Sequence, residues 1–515
     1  MSGKVSKFLF AFLVAGLVLV PVARNFAQDM PEESAVDPTV EAPTQIDSET
    51  TAAEVEEVQQ IEAESVVKAK GGIGPESGLG VFSRHADPVV LKGEQIPKFA
   101  GATEDTIRVF ANKDGSGLKP IPYQMDERNQ WGEFVVIKGK RVVADEDEGA
   151  FDENDEVVFL TRDLGSKAAK DSWPSGFKEA YEVEVTDPLT SVKGYAYVLS
   201  YASASAAPAP STDDYISYEE KGQGVTHAMS YELGFVKPAS GLDYDLLTVM
   251  PAAGGSGKDW FDRLKVRVLQ NLKRFMTLGI PTRLDRTEKN FLVKVYGYKD
   301  GPVRVLRVMK VNLQLIWKLP APGATVNSVF YPEWIEWPVP VNLPFKPSWA
   351  FYNVELDVSH DYDFGVNDGV KVYNSKDQRW DVVDGKMTPE ETAVNKADVR
   401  GSYYGFDATA AGHGAGFYTV RPPKSFSASL IGLYNDSTEV GVEPEYYEGD
   451  GNKKDREENI AGALPLAGGR FVNWDDVGKG IHTIFWYHFY PPFYTLGKEK
   501  AFLDIIDHPI SVTVN

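Results

Sequence analysis

Tyr181-Glu182-Val183-Glu184-Val185-Thr186 is the stretch whose reading decides the fold class. Apolar and charged side chains alternate along it. Successive side chains of an extended chain point to opposite faces, so this segment reads as a strand with one buried and one wet face. On a helix the same three apolar residues would not share a face. Similar short runs, rich in β-branched and aromatic residues, flank it at Thr106–Ala111, Glu133–Ile137, Glu156–Thr161 and Tyr195–Tyr201. Most are bounded by Gly, Pro, Asp or Ser. No long helical period separates them, which argues for an antiparallel β-sandwich over about residues 80–205.

Beyond this region the low-complexity run Ala202–Ser211 marks an internal boundary. Asp259–Thr277 is a candidate helix, although Val266 and Val268 suit a strand equally. Phe291–Tyr298 and Val303–Trp317 flank Lys299-Asp300-Gly301-Pro302, which reads as a hairpin whose glycine takes positive φ. Trp349–Val358 and Gly480–Phe489 read as further strands. The expected architecture is mainly β, an antiparallel sandwich or supersandwich with few helices. It divides into an N-terminal β-sandwich, 78–205, and a larger β-rich domain, 206–515.

The first 27 residues read as an export signal. Lys4 and Lys7 precede an unbroken apolar run from Phe8 to Val20, and Asn25-Phe26-Ala27 offers a cleavage site. The run is short for a membrane span, which needs about 20 apolar residues. Residues 29–70 carry twelve acidic side chains, two lysines and no aromatic residue. Such a segment buries too little apolar surface to offset its ordering entropy, so 28–77 reads as an acidic linker, with helical spacing over Ala52–Val67. The expected location is periplasmic or extracellular, or the inner-membrane surface if the signal stays uncut. No second apolar span follows. The formal charge of −22 makes nucleic acid a poor partner. The absence of cysteine excludes disulfides, thiolate metal sites and a cysteine nucleophile.

Familiar catalytic motifs are missing. Gly254-Gly255-Ser256-Gly257-Lys258 lacks the spacing of a phosphate loop, and Asp259 stands where Ser or Thr should bind magnesium. There is no His-Glu-x-x-His and no Gly-x-Ser-x-Gly. Asp145–Glu156 is dense in oxygen ligands. Asp152, Asn154 and Asp155 are candidate calcium ligands, with an acidic turn as the competing reading.

Pro120-Ile121-Pro122-Tyr123-Gln124-Met125-Asp126-Glu127, followed by Asp152-Glu153-Asn154-Asp155-Glu156-Val157-Val158-Phe159-Leu160, resembles the N-terminal pattern of an uncharacterised family of bacterial secreted proteins. Those proteins accompany polysaccharide-degrading enzymes and resemble the aldose-epimerase-type β-supersandwich. The resemblance covers about 80 residues, implies a carbohydrate context and assigns no catalytic residue. The residues also have a structural reading. Gln124 and Asp126 can bond backbone groups at strand ends, and Asp155 can cap a turn.

Seven of the ten tryptophans lie from Trp317 onward. Trp334 and Trp337, with Glu333 and Glu336 beside them, precede prolines 338, 340, 344 and 347, which suit an extended edge or loop. Aromatic loops of this kind stack on sugar faces or other flat apolar ligands, and Trp486 is a further candidate; the competing reading is that these rings fill the core of a large β-domain. Three histidines are candidate acid–base groups. His360 lies among Asp357, Asp361 and Asp363, His413 in a glycine-rich loop after Tyr403 and Tyr404, and His488 in an aromatic strand. Three functions follow as expectations: binding of a glycan through aromatic loops, a polysaccharide lyase or epimerase-like enzyme using Tyr403 and histidine, or a cell-envelope scaffold. Whether the histidines converge discriminates among them.

Overall fold

The computed structural model describes residues 82–515, apart from 83, 137, 140–142, 144, 146–148, 236–243, 287–289, 317–318, 321–322, 363–368, 377 and 438–465. The export signal, the acidic linker and Asp363 lie outside the described residues. The chain divides into a body, Ala69–Asn271 with Arg283–Asn515, and a small unit to which Leu272–Thr282 belongs. The body is mainly β, with antiparallel sheets in a sandwich-like arrangement. Three helices occur among the described residues, Pro347–Ala350, Pro389–Val394 and Glu499–Asp507.

Tyr181–Val185 falls in the strand Glu179–Thr186, whose burial alternates as its sequence does. It sits in a five-stranded sheet with Lys193–Ser200, Ile107–Ala111, Lys119–Pro120 and the C-terminal strand Ser511–Val514. A three-stranded sheet of Pro88–Lys92, Glu156–Leu160 and Gln124–Asp126 supplies the other half of their common core. Val89, Leu91, Val157 and Phe159 there meet Ile107, Val109, Val183, Val185 and Val198. Glu133–Ile137 forms no ladder strand. Phe134 and Val136 make isolated bridges to Arg128 and Val143.

The motif residues of this region are fastened to the second half of the chain. Gln124 Oε1 accepts the Arg304 amide at 2.9 Å, and Gln124 Nε2 donates to Asp126. Arg304 donates to Asp126 at 2.8 Å and to Glu156 at 2.5 Å. Gln124 thus bonds backbone as expected, whereas Asp126 bonds a buried guanidinium instead. Burial pushes the Asp126 carboxyl up, but the charges of Arg304 and Lys299 outweigh it and hold the group below its usual range. The hairpin Phe291–Asp300 and Val305–Ile316 forms as read. Gly301 is not among the glycines at positive φ. A Cβ at Gly301 would collide with the Gln124 amide, so close approach is what requires glycine there.

The candidate helix 259–277 is not formed. Phe261–Leu272 is a strand. Leu264, Val266 and Val268 face one side, while Lys265 on the other forms a buried ion pair with Asp361 at 2.5 Å. This strand belongs to a five-stranded sheet with Thr282–Arg286, Phe351–Tyr362, Leu466–Val472 and Ser429–Asn435. A ten-stranded sheet faces it. In order, the strands that concern the site are Phe291–Asp300, Val305–Ile316, Ala324–Phe330, Trp334–Leu343, Gly480–Phe489 and Ala415–Arg421.

One hairpin of the large sheet parts along its length. Ala324–Phe330 pairs fully with Val305–Ile316, and Trp334–Leu343 pairs fully with Gly480–Phe489. Between these two arms only Val329↔Glu336 and Phe330↔Ile335 remain paired. The Tyr331 amide donates to the Trp334 carbonyl at 2.8 Å, which sets the hydrogen-bonding phase of the hairpin. Continued outward, that phase points the amide positions of residues 338 and 340 at Asn327 and Thr325. Both positions are proline and carry no N–H, so the ladder cannot extend. Among the described residues the stretch is thus a strand paired along its length on one side only, rather than a loop.

Candidate functional site

A partly open cavity of about 260 Å³ lies between the inner faces of these two sheets. Its walls follow the period of two. Leu264, Val266 and Val268 come from one strand and Val354, Leu356 and Val358 from the next. Across from them stand Met309, Val311 and Leu313, then Val326 and Ser328, then Trp337, Val339, Val341 and Leu343, then Ile484, Trp486 and His488. Both arms of the parted hairpin therefore contribute to the lining. The wall is almost wholly apolar, with Gln270, Ser328, Asn342 and His488 as its polar side chains.

His488 leads into a buried aromatic cluster. Its ring lies 5.0 Å from His360 and 5.3 Å from Trp337, between centroids. His360 is 4.6 Å from Tyr418 and 5.6 Å from Phe261, and Tyr244 is 5.0 Å from Trp337. Several polar atoms here have no hydrogen-bond partner among the described residues: both ring nitrogens of His360, the hydroxyls of Tyr244 and Tyr418, and Trp337 Nε1. Ser328 Oγ and Gln270 Oε1, on the cavity wall, share that condition. Buried polar groups are normally paired, so a cluster of orphans beside a cavity is a feature in need of a counterpart.

Burial decides the charge states. It drives His360 well below its usual range, with His488 adding to the effect, and it brings His488 down to about 3. It lifts Tyr244 and Tyr418 well above theirs. All four groups are neutral near pH 7. The carboxylates flanking His360 project to the opposite face of their strand. Asp357 is held by Arg470 at 2.7 Å and Asp361 by Lys265. Among the described residues no carboxylate joins the cluster. Neutral imidazoles of low basicity can donate or accept a hydrogen bond, but nothing here raises them toward general-base strength.

The other sequence candidates are dispersed. His413 lies apart from the pair, with Nδ1 3.0 Å from Ser256 Oγ, so the three histidines do not converge. Burial and then the Lys258 charge lower it. Tyr403 packs on Phe417 and Tyr373 outside the cluster, and burial followed by the Glu499 charge pushes it up to about 12. Trp334 and Trp337 stand three apart on one strand and therefore point to opposite faces. Trp337 lines the cavity. Trp334 is buried against Tyr331 at 4.3 Å and donates to the Ala86 carbonyl. Glu333 is buried between His85 at 3.2 Å and Arg162 at 3.5 Å. Burial would raise it, but the His85 bond and the charges of His85 and Arg162 leave it lowered. Glu336 is half-buried and raised by burial. Trp486 lines the cavity beside Trp337.

The calcium candidates bond their own turn. Asp155 accepts the amides of Arg128 at 2.8 Å and Asp152 at 2.9 Å, and Asp152 accepts the Asn154 amide at 2.9 Å. Burial brings Asp155 up to about 6 against those bonds. Among the described residues no group of three or more His, Asp or Glu is arranged to hold a metal ion.

The sequence reading missed Tyr244, Phe261 and Tyr418, and the aliphatic walls. Its overlooked signal was alternation in Trp337-x-Val339-x-Val341-x-Leu343 and Ile484-x-Trp486-x-His488. No family model matches the chain, and no curated protein matches it. Among solved structures the chain is similar to an alpha-mannosidase from Enterococcus faecalis V583, with 9% identity and a TM-score of 0.34 over 90% of this chain and 49% of that one. The chain spans about half the length of that protein.

Proposed function

We propose that this is an exported binding protein whose ligand is an apolar molecule with a single polar end, held between the two large sheets. The observation that carries the reading is the cavity of about 260 Å³, walled by aliphatic and tryptophan side chains and bordered by polar atoms that no group among the described residues satisfies. A cavity of about 150 Å³ suffices for benzene, so this one suits roughly ten carbon atoms on the same scale. A gain of roughly 0.8 kcal/mol per buried methylene gives about 8 kcal/mol before the cost of association, hence micromolar or weaker binding. The parted hairpin supports entry through the sheet, and His488 with Trp337 Nε1 would meet the polar end. A glycan, which the sequence resemblance implies, would bring many hydroxyls to a wall with few polar groups, and each unmet hydroxyl is costly. Export to the periplasm or beyond rests on residues 1–27.

Displacement of an apolar fluorescent probe tests the reading. The full chain should take up 1-naphthylamine, a fluorescent ten-carbon amine, saturably and release it to decanoic acid, but not to a panel of oligosaccharides. Val339→Trp, which fills the cavity and leaves the N-terminal apolar run intact, should abolish the saturable part. Equal uptake by that variant, or release by a sugar, would refute the proposal.

A further inference from the structure

The chain passes from Leu272 to Thr282 through Lys273-Arg274-Phe275-Met276-Thr277-Leu278-Gly279-Ile280-Pro281. Four large apolar side chains of this turn face solvent: Phe275, Met276, Leu278 and Ile280 are 57%, 40%, 55% and 65% exposed. Single exposed apolar residues are ordinary, but four within six positions form a patch. The turn closes on itself. The amides of Met276, Thr277, Gly279 and Ile280 donate to the carbonyls of Lys273, Arg274, Arg274 and Thr277, and the Thr277 hydroxyl donates to the Ile280 carbonyl. Leu278 holds a φ of 55°, a region that a leucine seldom adopts, so the outward display is kept against a local cost. Lys273 and Arg274 precede the apolar residues, Arg283 and Arg286 follow them, and Asp285 is the one acid between 273 and 286. This is a basic segment in a chain of net charge −22.

We propose that this turn docks on an anionic lipid surface, with its apolar side chains in the headgroup–acyl boundary and its basic residues among the phosphates. Three observations favour lipid over protein. The local charge is complementary to an anionic bilayer. The turn's internal hydrogen bonds satisfy the amides of Met276, Thr277, Gly279 and Ile280 within the turn, which lowers the cost of an apolar medium. Four side chains fall short of the roughly 800 Å² per partner that a stable protein interface buries, whereas interfacial anchoring works with a few apolar side chains and basic flanks.

The chain has no cysteine, so a single introduced thiol reports one position. Ile280→Cys in the full-length protein, labelled with an environment-sensitive nitrobenzoxadiazole dye, is compared with Ala204→Cys, an exposed loop position. With vesicles of phosphatidylglycerol and phosphatidylcholine the label at position 280 should brighten and shift to the blue, and the label at 204 should not. Phosphatidylcholine alone should give little change. Lys273→Glu with Arg274→Glu should weaken the response at least about 25-fold, from roughly 5-fold for each basic residue lost. Protein that sediments with vesicles while the 280 label stays unchanged, as binding through Phe8–Val20 alone would produce, overturns the proposal. So does a failure to sediment at all, or a 280 response that tracks protein concentration without vesicles, which would mean a second copy occupies the turn.

Discussion

His360 is buried, aromatic on every side described, and among the described residues neither ring nitrogen has a partner. A residue serving stability alone would be better as phenylalanine, because leaving a buried polar group unmet costs free energy that an apolar ring of similar size avoids. His360→Phe should therefore raise the unfolding free energy by about 1–2 kcal/mol in urea at pH 7 while weakening probe uptake. A loss of stability would mean the imidazole has a structural partner. The two histidines also set a pH dependence. Each binds its proton near pH 6.5 in the unfolded chain and resists it in the folded one, His488 down to about 3. Their contribution is full above pH 6.5 and falls as the pH drops toward 3, by about 1.4 kcal/mol per pH unit for each. His488→Phe should remove its share of that slope in urea midpoints taken across this range. Arg304 is a third residue with a definite consequence. Arg304→Met removes the cation that bridges Asp126 and Glu156, leaving Asp126 with Lys299 at 3.5 Å and Glu156 with Arg128 at 2.7 Å, and should cost about 3 kcal/mol, read by urea unfolding. At this scale the sequence was partly legible. Gln124 could be read as a backbone binder because its neighbours are strand ends. Arg304 could not, since its partners lie about 150 and 180 residues away in sequence.

The strands explain which readings succeeded. Gly480–Phe489 and the 291–316 hairpin were legible because local alternation and turn residues coincide. Phe261–Leu272 was not, because its outer face carries Lys265 and Arg267, whose burial depends on distant partners, and its charges mimic an amphipathic helix. The prolines at 338 and 340 signalled an unpaired edge correctly. What sequence could not supply is which neighbour they face, since that follows from the hydrogen-bonding phase of a hairpin not yet placed. Restoring both amides with Pro338→Val and Pro340→Thr should let the ladder extend toward Asn327 and Thr325. Hydrogen exchange should then show new protection at 338 and 340, and probe uptake should slow. Unchanged uptake despite that protection would place the entrance elsewhere.

At the scale of the whole molecule, mainly β architecture was readable from period-two patterning, while the cavity was not. A cavity is a mismatch between facing sheets, and the same valines and leucines would be written for a tightly filled sandwich. The tryptophans had two readings in the sequence, ligand-stacking loops or core of a large β-domain, and the candidate site was drawn from the first. Trp334 fills the core, and Trp337 and Trp486 turn inward beside the histidine pair, which moves the candidate site from surface to interior. The central claim is that an apolar ligand occupies that interior. Its most direct measurement is photolabelling of the full chain with a diazirine-bearing ten-carbon fatty acid, mapped by peptide mass spectrometry. The account predicts label on Trp334–Leu343 and Gly480–Phe489, lost in Val339→Trp. Label confined to Phe8–Val20 or to exposed residues such as Trp131 would contradict it.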